Sequence, residues 1–219
     1  MKRAVVIVSF SLFAAIGCGG TTDEWKEVTE NARRSQEAEE NALRGIADDS
    51  GLSEADAIKK YLDKSPTVSK NLPPDVAPGW AANQVNNQWH LVIHAMLQSQ
   101  GVDSSPEERL RKERDTIRWH MAGSRRMLDH LKGRKVQSVT VRIYTKLTGQ
   151  ETHTELFRAV MTQADLAKSE KIADVVDYHS SNDPQSAAEG TVYDPRGPRI
   201  SECWTVELNR YPDLEYKKR

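Results

Sequence analysis

The sequence predicts an α+β fold in which N-terminal helices, one of them stalk-like, pack with a small C-terminal antiparallel β-sheet. Three observations lead to this prediction. Before Gly133, apolar residues recur mostly at helical spacing. After Gly133 they alternate with polar residues, which is the pattern of half-buried strands. Helices therefore come first and strands later, and that order favours an α+β fold over alternating β-α units.

The first predicted helix covers Glu24 to Ala47, where strong helix formers surround only a few apolar residues. Its apolar stripe is thin, so we expect a charged stalk or a loosely docked helix that buries a narrow seam. Asp48 to Gly51 ends this helix. Ser53 followed by Asp56 resembles a helix cap and predicts a short second helix that reaches Leu62.

Ser65 to Trp80 contains four prolines and a glycine, which exclude a regular helix. We interpret this stretch as a linker and a domain boundary. Beyond it, Ala81 to Gln100 is predicted to be a long helix, because its apolar residues fit one helical face. Those residues are Val85, Trp89, Val92, Ile93, Met96 and Leu97.

The clearest helix start in the chain is Ser105-Pro106-Glu107-Glu108. It combines a capping serine, a proline in the first turn and a glutamate at the third helical position. The helix is predicted to run to about Leu131, with Gly133 as its stop. The residues expected in its buried stripe are Leu110, Ile117, Met121 and Leu128.

The rest of the chain is predicted to form the antiparallel sheet. Ser138 to Leu147 alternates in polarity, and Leu147 to Gln150 supplies a turn, so Glu151 to Thr162 is expected to return as the partner strand. A short helix is expected over Gln163 to Val176. A last strand, Ile200 to Leu208, places one set of residues on a common face. That set is Ile200, Trp204, Val206 and Leu208.

The first twenty residues indicate export. Lys2 and Arg3 precede an apolar run from Ala4 to Ile16, which is typical of a secretory signal and too short to span a bilayer comfortably. The run ends in Ala15-Ile16-Gly17-Cys18, which resembles the lipobox of bacterial lipoproteins. The resemblance implies that residues 1–17 are a removed signal peptide and that Cys18 becomes the lipidated N-terminus.

Lipidation of Cys18 implies a partner and a location. A diacylglyceryl group and an amide-linked acyl chain, such as palmitate, would hold the protein on membrane lipid almost permanently. We therefore expect an exported cell-envelope protein anchored to a bacterial membrane, on the periplasmic side of the outer membrane if the cell has one. The expected organisation is a signal peptide (1–17), a tether with a charged helical stalk (18–64), a proline-rich linker (65–80) and an α+β domain (81–219) with two long helices before its sheet.

Charge and cysteine content exclude two classes of protein. Without residues 1–17 the chain keeps 29 basic and 32 acidic residues. This near-neutral balance argues against a dedicated nucleic-acid binder. The only cysteines are Cys18 and Cys203, so a lipidated Cys18 leaves no intramolecular disulfide. Cys203 is then either a buried inert thiol or a reactive or intermolecular one.

His90 and His94 are the first candidate for metal binding. On the predicted helix they lie four residues apart, the spacing at which two imidazoles can share one metal ion. The glutamate of the metalloprotease motif is missing between them, and zinc needs further ligands. An exposed structural pair is the alternative.

A second candidate comprises Asp174, Asp177, His179 and Asp183. Carboxylates with an imidazole can hold a cation or serve acid-base chemistry. Their spacing matches no calcium loop. The alternative is a solvated helix end followed by a polar loop.

The helix after Pro106 carries a candidate interaction surface of cations and an aromatic ring. Its members are Arg118, Trp119, His120, Arg125, Arg126 and His130. Such a set can dock phosphate groups, anionic glycans or an acidic helix. The alternative is a second packing face against the N-terminal helices.

Motifs typical of catalysis are missing from the sequence. It contains no Gly-x-Ser-x-Gly elbow, no phosphate-cradling glycine loop, no Cys-x-x-Cys and no His-Glu-x-x-His. The sequence therefore favours a non-catalytic binding or structural module without a cofactor, whose partner would be another envelope protein or an anionic glycan. The competing hypothesis is a metal-binding or metal-dependent envelope protein.

Overall fold

The structure of the protein is a computed structural model. It describes residues 22–76, 78–97, 106–146, 149–171 and 204–209. The chain divides into two units, Met1–Ala42 and Leu43–Arg219. The described helices are α1 (Thr22–Asp48), α2 (Glu54–Lys64), α3 (Pro106–His130) and α4 (Gln163–Lys171). The described strands are β1 (Trp80–Val85), β2 (Gln88–Met96), β3 (Val136–Thr145), β4 (Thr154–Thr162) and β5 (Thr205–Asn209).

The predicted α+β fold is confirmed. The five strands form one sheet in the order β1-β2-β3-β4-β5. Three neighbouring pairs are antiparallel, as expected, whereas β2 and β3 are parallel, so the sheet is mixed. A parallel pair requires a crossover connection, and the segment that contains α3 supplies it.

The helix predicted over Ala81 to Gln100 is wrong, because this segment forms the hairpin of β1 and β2. Asn86 and Asn87 make the two-residue turn, with φ of 51° and 62°. Positive φ at both central residues defines the turn that matches the twist of a hairpin. Apolar side chains also lie on the face of β2 that points away from the core. Apolar and polar residues therefore do not alternate strictly along this strand, and the spacing of the apolar residues fits a helix equally well.

Replacing Asn87 by glycine is expected to stabilise the protein by about 0.5 kcal/mol, because glycine adopts positive φ without steric cost. The gain is reduced by the loss of a 3.3 Å hydrogen bond that the amide of Gln84 donates to Asn87 Oδ1. Chemical denaturation measures the change. Asn83→Gly in β1 is the matched control and is expected to lower stability, since glycine weakens a strand interior.

The hydrophobic core lies between the sheet and the helices of the second unit. From the sheet it takes alternate residues of β2, β3 and β4, and from α3 it takes one stripe. The strand residues are Leu91, Ile93, Ala95, Val139, Val141, Ile143, Phe157, Ala159 and Met161. Ile117, Met121 and Leu128 of the predicted α3 stripe are buried, whereas the side chain of Leu110 lies outside the described residues.

Side chains form hydrogen bonds with backbone groups at the ends of α1 and α2. Ser53 caps α2 and accepts a hydrogen bond from the backbone N–H of Asp56, as predicted. At the end of α1, the guanidinium of Arg134 donates to the backbone carbonyls of Ala47, Leu52 and Asp49. The Ala47 carbonyl lies in the last turn of α1, where helix carbonyls lack an intrahelical partner, so Arg134 satisfies a group that the end of the helix leaves open.

The proline-rich segment, predicted as a linker, lies within the second unit and packs against α3. Its Thr67 and Val68 are buried. The buried ring of His120 donates through Nδ1 to the carbonyl of Thr67, at 3.0 Å. Gly123 lies beside it, and a Cβ there would be 2.1 Å from Thr67 Oγ1.

Burial of His120 is expected to make stability depend on pH. Burial lowers the pKa of His120 from 6.5 to about 4, although its bond to the Thr67 carbonyl acts in the opposite direction. Below about pH 6.5, His120 is therefore protonated in the unfolded chain but stays neutral in the folded chain. The free energy of unfolding falls as the pH drops below that ordinary pKa. Between about pH 7.5 and about pH 5 the loss from this residue is about 2 kcal/mol.

Denaturation of the wild type and of His120→Gln at both pH values measures this effect. Glutamine keeps a donor for the Thr67 carbonyl but does not titrate. The difference in stability between the two proteins is expected to narrow on acidification. A difference that stays constant with pH would contradict the role of His120.

Candidate functional site: a polar cluster on the second face of the sheet

The face of the sheet that points away from the hydrophobic core carries a set of polar side chains, which we call the polar face. Its members are His90, His94, Ser138, Thr140, Arg142, Tyr144, Glu155, Arg158 and Glu207. They alternate along β2 and β3 with the core residues and therefore point away from the core. The pairing of four neighbouring strands brings them together.

Glu155 lies at the centre of the polar face between two arginines. Arg142 donates to both of its carboxylate oxygens, at 2.9 and 2.6 Å, and Arg158 donates to both at 2.8 Å. Burial raises the pKa of Glu155, but the hydrogen bonds from Arg142 and Arg158 outweigh it and lower the pKa to about 2. The carboxyl group of Glu155 is therefore ionised at neutral pH.

His94 and Tyr144 form the second part of the cluster, next to Arg142. Their rings stack with centroids 5.8 Å apart, and His94 Nδ1 lies 3.2 Å from Tyr144 Oη. The Cζ atom of Arg142 lies 5.6 Å from the centre of the Tyr144 ring, within cation-π distance. Burial raises the pKa of Tyr144, so its hydroxyl keeps its proton at neutral pH.

The formal charges of the polar face cancel. Glu207 of β5 lies 3.7 Å from Arg158, and Arg142 shares Glu155 with Arg158. Burial lowers the pKa of His94, and the positive charge of Arg142 lowers it further, more than Glu155 raises it. His94 is therefore neutral near pH 7, so the two arginines and the two glutamates carry the charge of the cluster.

The sequence placed His90 and His94 on a helix, where one metal ion could contact both, but they lie on a strand. Four residues of strand separate their Cα atoms by roughly 13 Å, too far for both rings to bind one ion. Each ring has its own partner: His90 Nδ1 lies 2.8 Å from Ser138 Oγ. In the parts of the chain that the structure describes, no group of three or more His, Cys, Asp or Glu residues is placed to hold a metal ion.

The other sequence candidates are only partly described. Trp119 is half-buried and meets the ring of His120 edge to face, with centroids 4.7 Å apart. Arg125 and Arg126 are half-buried too, and the side chain of Arg118 lies outside the described residues. Their predicted role as an interaction surface stays a prediction.

Several sequence candidates lie entirely outside the described residues. They are Cys18, Cys203, Asp174, Asp177, His179 and Asp183. The structure therefore leaves the lipidation site and the second metal candidate as predictions.

Sequence reasoning missed Arg142, Tyr144, Glu155 and Arg158 as a site. Each of them occupies a polar position of an alternating strand, where a charged or aromatic side chain is ordinary. The register of β3 against β4, which pairs Tyr144 with Glu155 and Arg142 with Arg158, brings them together. An arginine on β3 with a glutamate thirteen residues later, across a predicted turn, was the only signal.

Comparison with known proteins adds no assignment. No protein-family model, no curated protein and no solved structure matches this chain. Among the described residues, none of the helices has the length and apolar character needed to cross a membrane.

Proposed function

We propose that this chain is a cell-envelope lipoprotein, anchored through Cys18, whose α+β domain is a binding module that uses the polar face. The observation that carries the proposal is the pre-paired cluster of Arg142, Glu155 and Arg158. Paired side chains have already lost most of their rotamer freedom. A partner that docks there therefore immobilises fewer side-chain torsions, and the entropy cost of binding is lower. Lipid at Cys18 would keep this face within reach of other envelope components.

The chemistry of the cluster favours binding over catalysis. A general acid or base works best with a pKa near the operating pH. Glu155 has a pKa of about 2, and burial raises the pKa of Tyr144 above its usual value of 10. Neither group is poised to exchange a proton near neutral pH. The groups are instead suited to hold hydrogen bonds and charge in fixed positions.

The lipid anchor is tested by labelling cells with an alkyne analogue of palmitate. The wild type is expected to carry the label and to sediment with membranes, whereas Cys18→Ser is expected to lose the label and its signal-peptide processing. Cys203→Ser is the matched control and should behave as the wild type. A Cys18→Ser protein that still carried the label would contradict the proposed anchor.

The binding role is tested with a photo-crosslinking residue in place of Thr140, on the polar face. Irradiation of cells is expected to give a discrete crosslinked species. The same residue at Lys132, which is exposed outside the sheet, serves as control. Identical products from the two positions would contradict a binding role for the polar face.

A further inference from the structure

Arg142 lies where a ligand can reach it. With His94 and Tyr144 it stands near the carboxyl ends of the two parallel strands, β2 and β3. Connections leave the sheet at the carboxyl ends of parallel strands, and open sheets commonly bind ligands there. About a third of the Arg142 side chain is exposed, against 13% for Glu155.

Among the described residues, Glu155 holds one edge of the Arg142 guanidinium through hydrogen bonds. Nε and Nη2 donate to Glu155, which leaves the second Nη2 hydrogen and both Nη1 hydrogens directed elsewhere. Within the described residues, Nη1 has no hydrogen-bond partner. The free end of the guanidinium presents two parallel donors, the arrangement that a planar carboxylate accepts.

The local charge favours a monovalent anion over a dianion. Arg142 and Arg158 are balanced by Glu155 and Glu207, and Glu207 lies beside Arg158 rather than Arg142. An anion bound to the free end of Arg142 is therefore attracted by that guanidinium and repelled by Glu155. A carboxylate brings one negative charge, whereas a dianion such as sulfate brings two and is repelled more strongly.

We infer that Arg142, Tyr144 and His94 form a binding site for the carboxylate of a small ligand. The free end of the Arg142 guanidinium donates two hydrogen bonds to the carboxylate. His94 Nδ1–H donates to Tyr144 Oη, so that the hydroxyl hydrogen of Tyr144 turns towards the same anion. Glu155 keeps Arg142 in place by holding its Nε edge. This inference rests on the proposed binding role of the polar face and names the chemical group that the face recognises.

Acetate is the probe, titrated into the full chain without its signal peptide at pH 7 and constant ionic strength. Backbone NMR shifts of β2 and β3 are expected to change saturably, with a dissociation constant on the order of millimolar. Sulfate, which is a dianion at this pH, is expected to bind at least about tenfold more weakly. Sulfate that bound as tightly as acetate would overturn the carboxylate assignment, and so would the absence of saturable acetate binding.

Three variants locate the site. Arg142→Gln is expected to weaken acetate binding at least about tenfold, and Tyr144→Phe about threefold. Lys132→Gln removes an exposed positive charge elsewhere and should leave binding unchanged. If Arg142→Gln does not fold, Tyr144→Phe decides, because it keeps the arginine pairs. Unchanged binding in Tyr144→Phe, or equal weakening in Lys132→Gln, would overturn the site.

The acetate titration requires neither a membrane nor an envelope partner. Its failure would therefore overturn the carboxylate site alone. The crosslinking experiment at Thr140 decides separately whether the polar face binds a partner.

Discussion

Gly79→Ala is expected to destabilise the protein by about 3 kcal/mol, the largest effect of any alanine substitution at a glycine that the structure describes. An added Cβ would lie 1.9 Å from the carbonyl oxygen of Ser69 and 3.2 Å from Val68 Cγ1. The clash is with backbone, so no side-chain rotation relieves it. Gly79 itself is held in place, because its carbonyl accepts a 3.0 Å hydrogen bond from the N–H of His94.

Urea denaturation of Gly79→Ala and of Gly133→Ala checks this expectation. At Gly133 an added Cβ meets nothing within 4 Å, so its stability should lie within about 0.5 kcal/mol of the wild type. Equal stabilities for the two variants would show that the proline-rich segment does not pack against the start of β1.

Glu155→Gln is expected to lower stability by about 3 kcal/mol at neutral pH, because it leaves two guanidiniums without their shared carboxylate. Glutamine preserves shape but offers one acceptor oxygen in place of two charged ones. Glu207→Gln is the matched control. Glu207 is more exposed than Glu155 and lies 3.7 Å from Arg158, so its loss should cost less than about 0.5 kcal/mol.

The effect of Glu155→Gln is also expected to depend on pH. The pKa of Glu155 is about 2 in the folded protein, against an ordinary value of 4.5. A lowered carboxyl pKa adds stability that is fully present above 4.5 and is lost as the pH falls towards 2. The stability difference between wild type and variant should therefore shrink over that range. A difference that persisted unchanged at pH 2 would contradict ionic pairing at Glu155.

Local sequence signals predicted several elements well. The cap at Ser53, the start of α3 at Pro106 and the alternation in β3 each depend on neighbouring residues, and each is confirmed. Gly149, in the predicted turn before β4, has the positive φ of 81° that such turns favour. These elements need no information from distant parts of the chain.

The β1-β2 hairpin shows where local signals were insufficient. Both faces of β2 carry apolar residues, because Val92 and Met96 accompany the core set of Leu91, Ile93 and Ala95. Asn86 and Asn87, which make the turn, lie inside the segment whose apolar spacing predicted a helix. Pairing with the parallel strand β3 fixes β2 as an extended strand, and such long-range pairing cannot be deduced from a window of neighbouring residues.

By itself the sequence determined the α+β class, most helix ends, the β3-β4 pairing and the expectation of export and lipidation at Cys18. Only the tertiary structure decided that β2 is a strand parallel to β3, that the proline-rich segment packs against α3, and that Arg142, Tyr144 and Glu155 share one face. The physical reason is the range of the interactions. Caps, turns and alternation act over a few residues, whereas strand register and packing join residues that lie far apart in the chain.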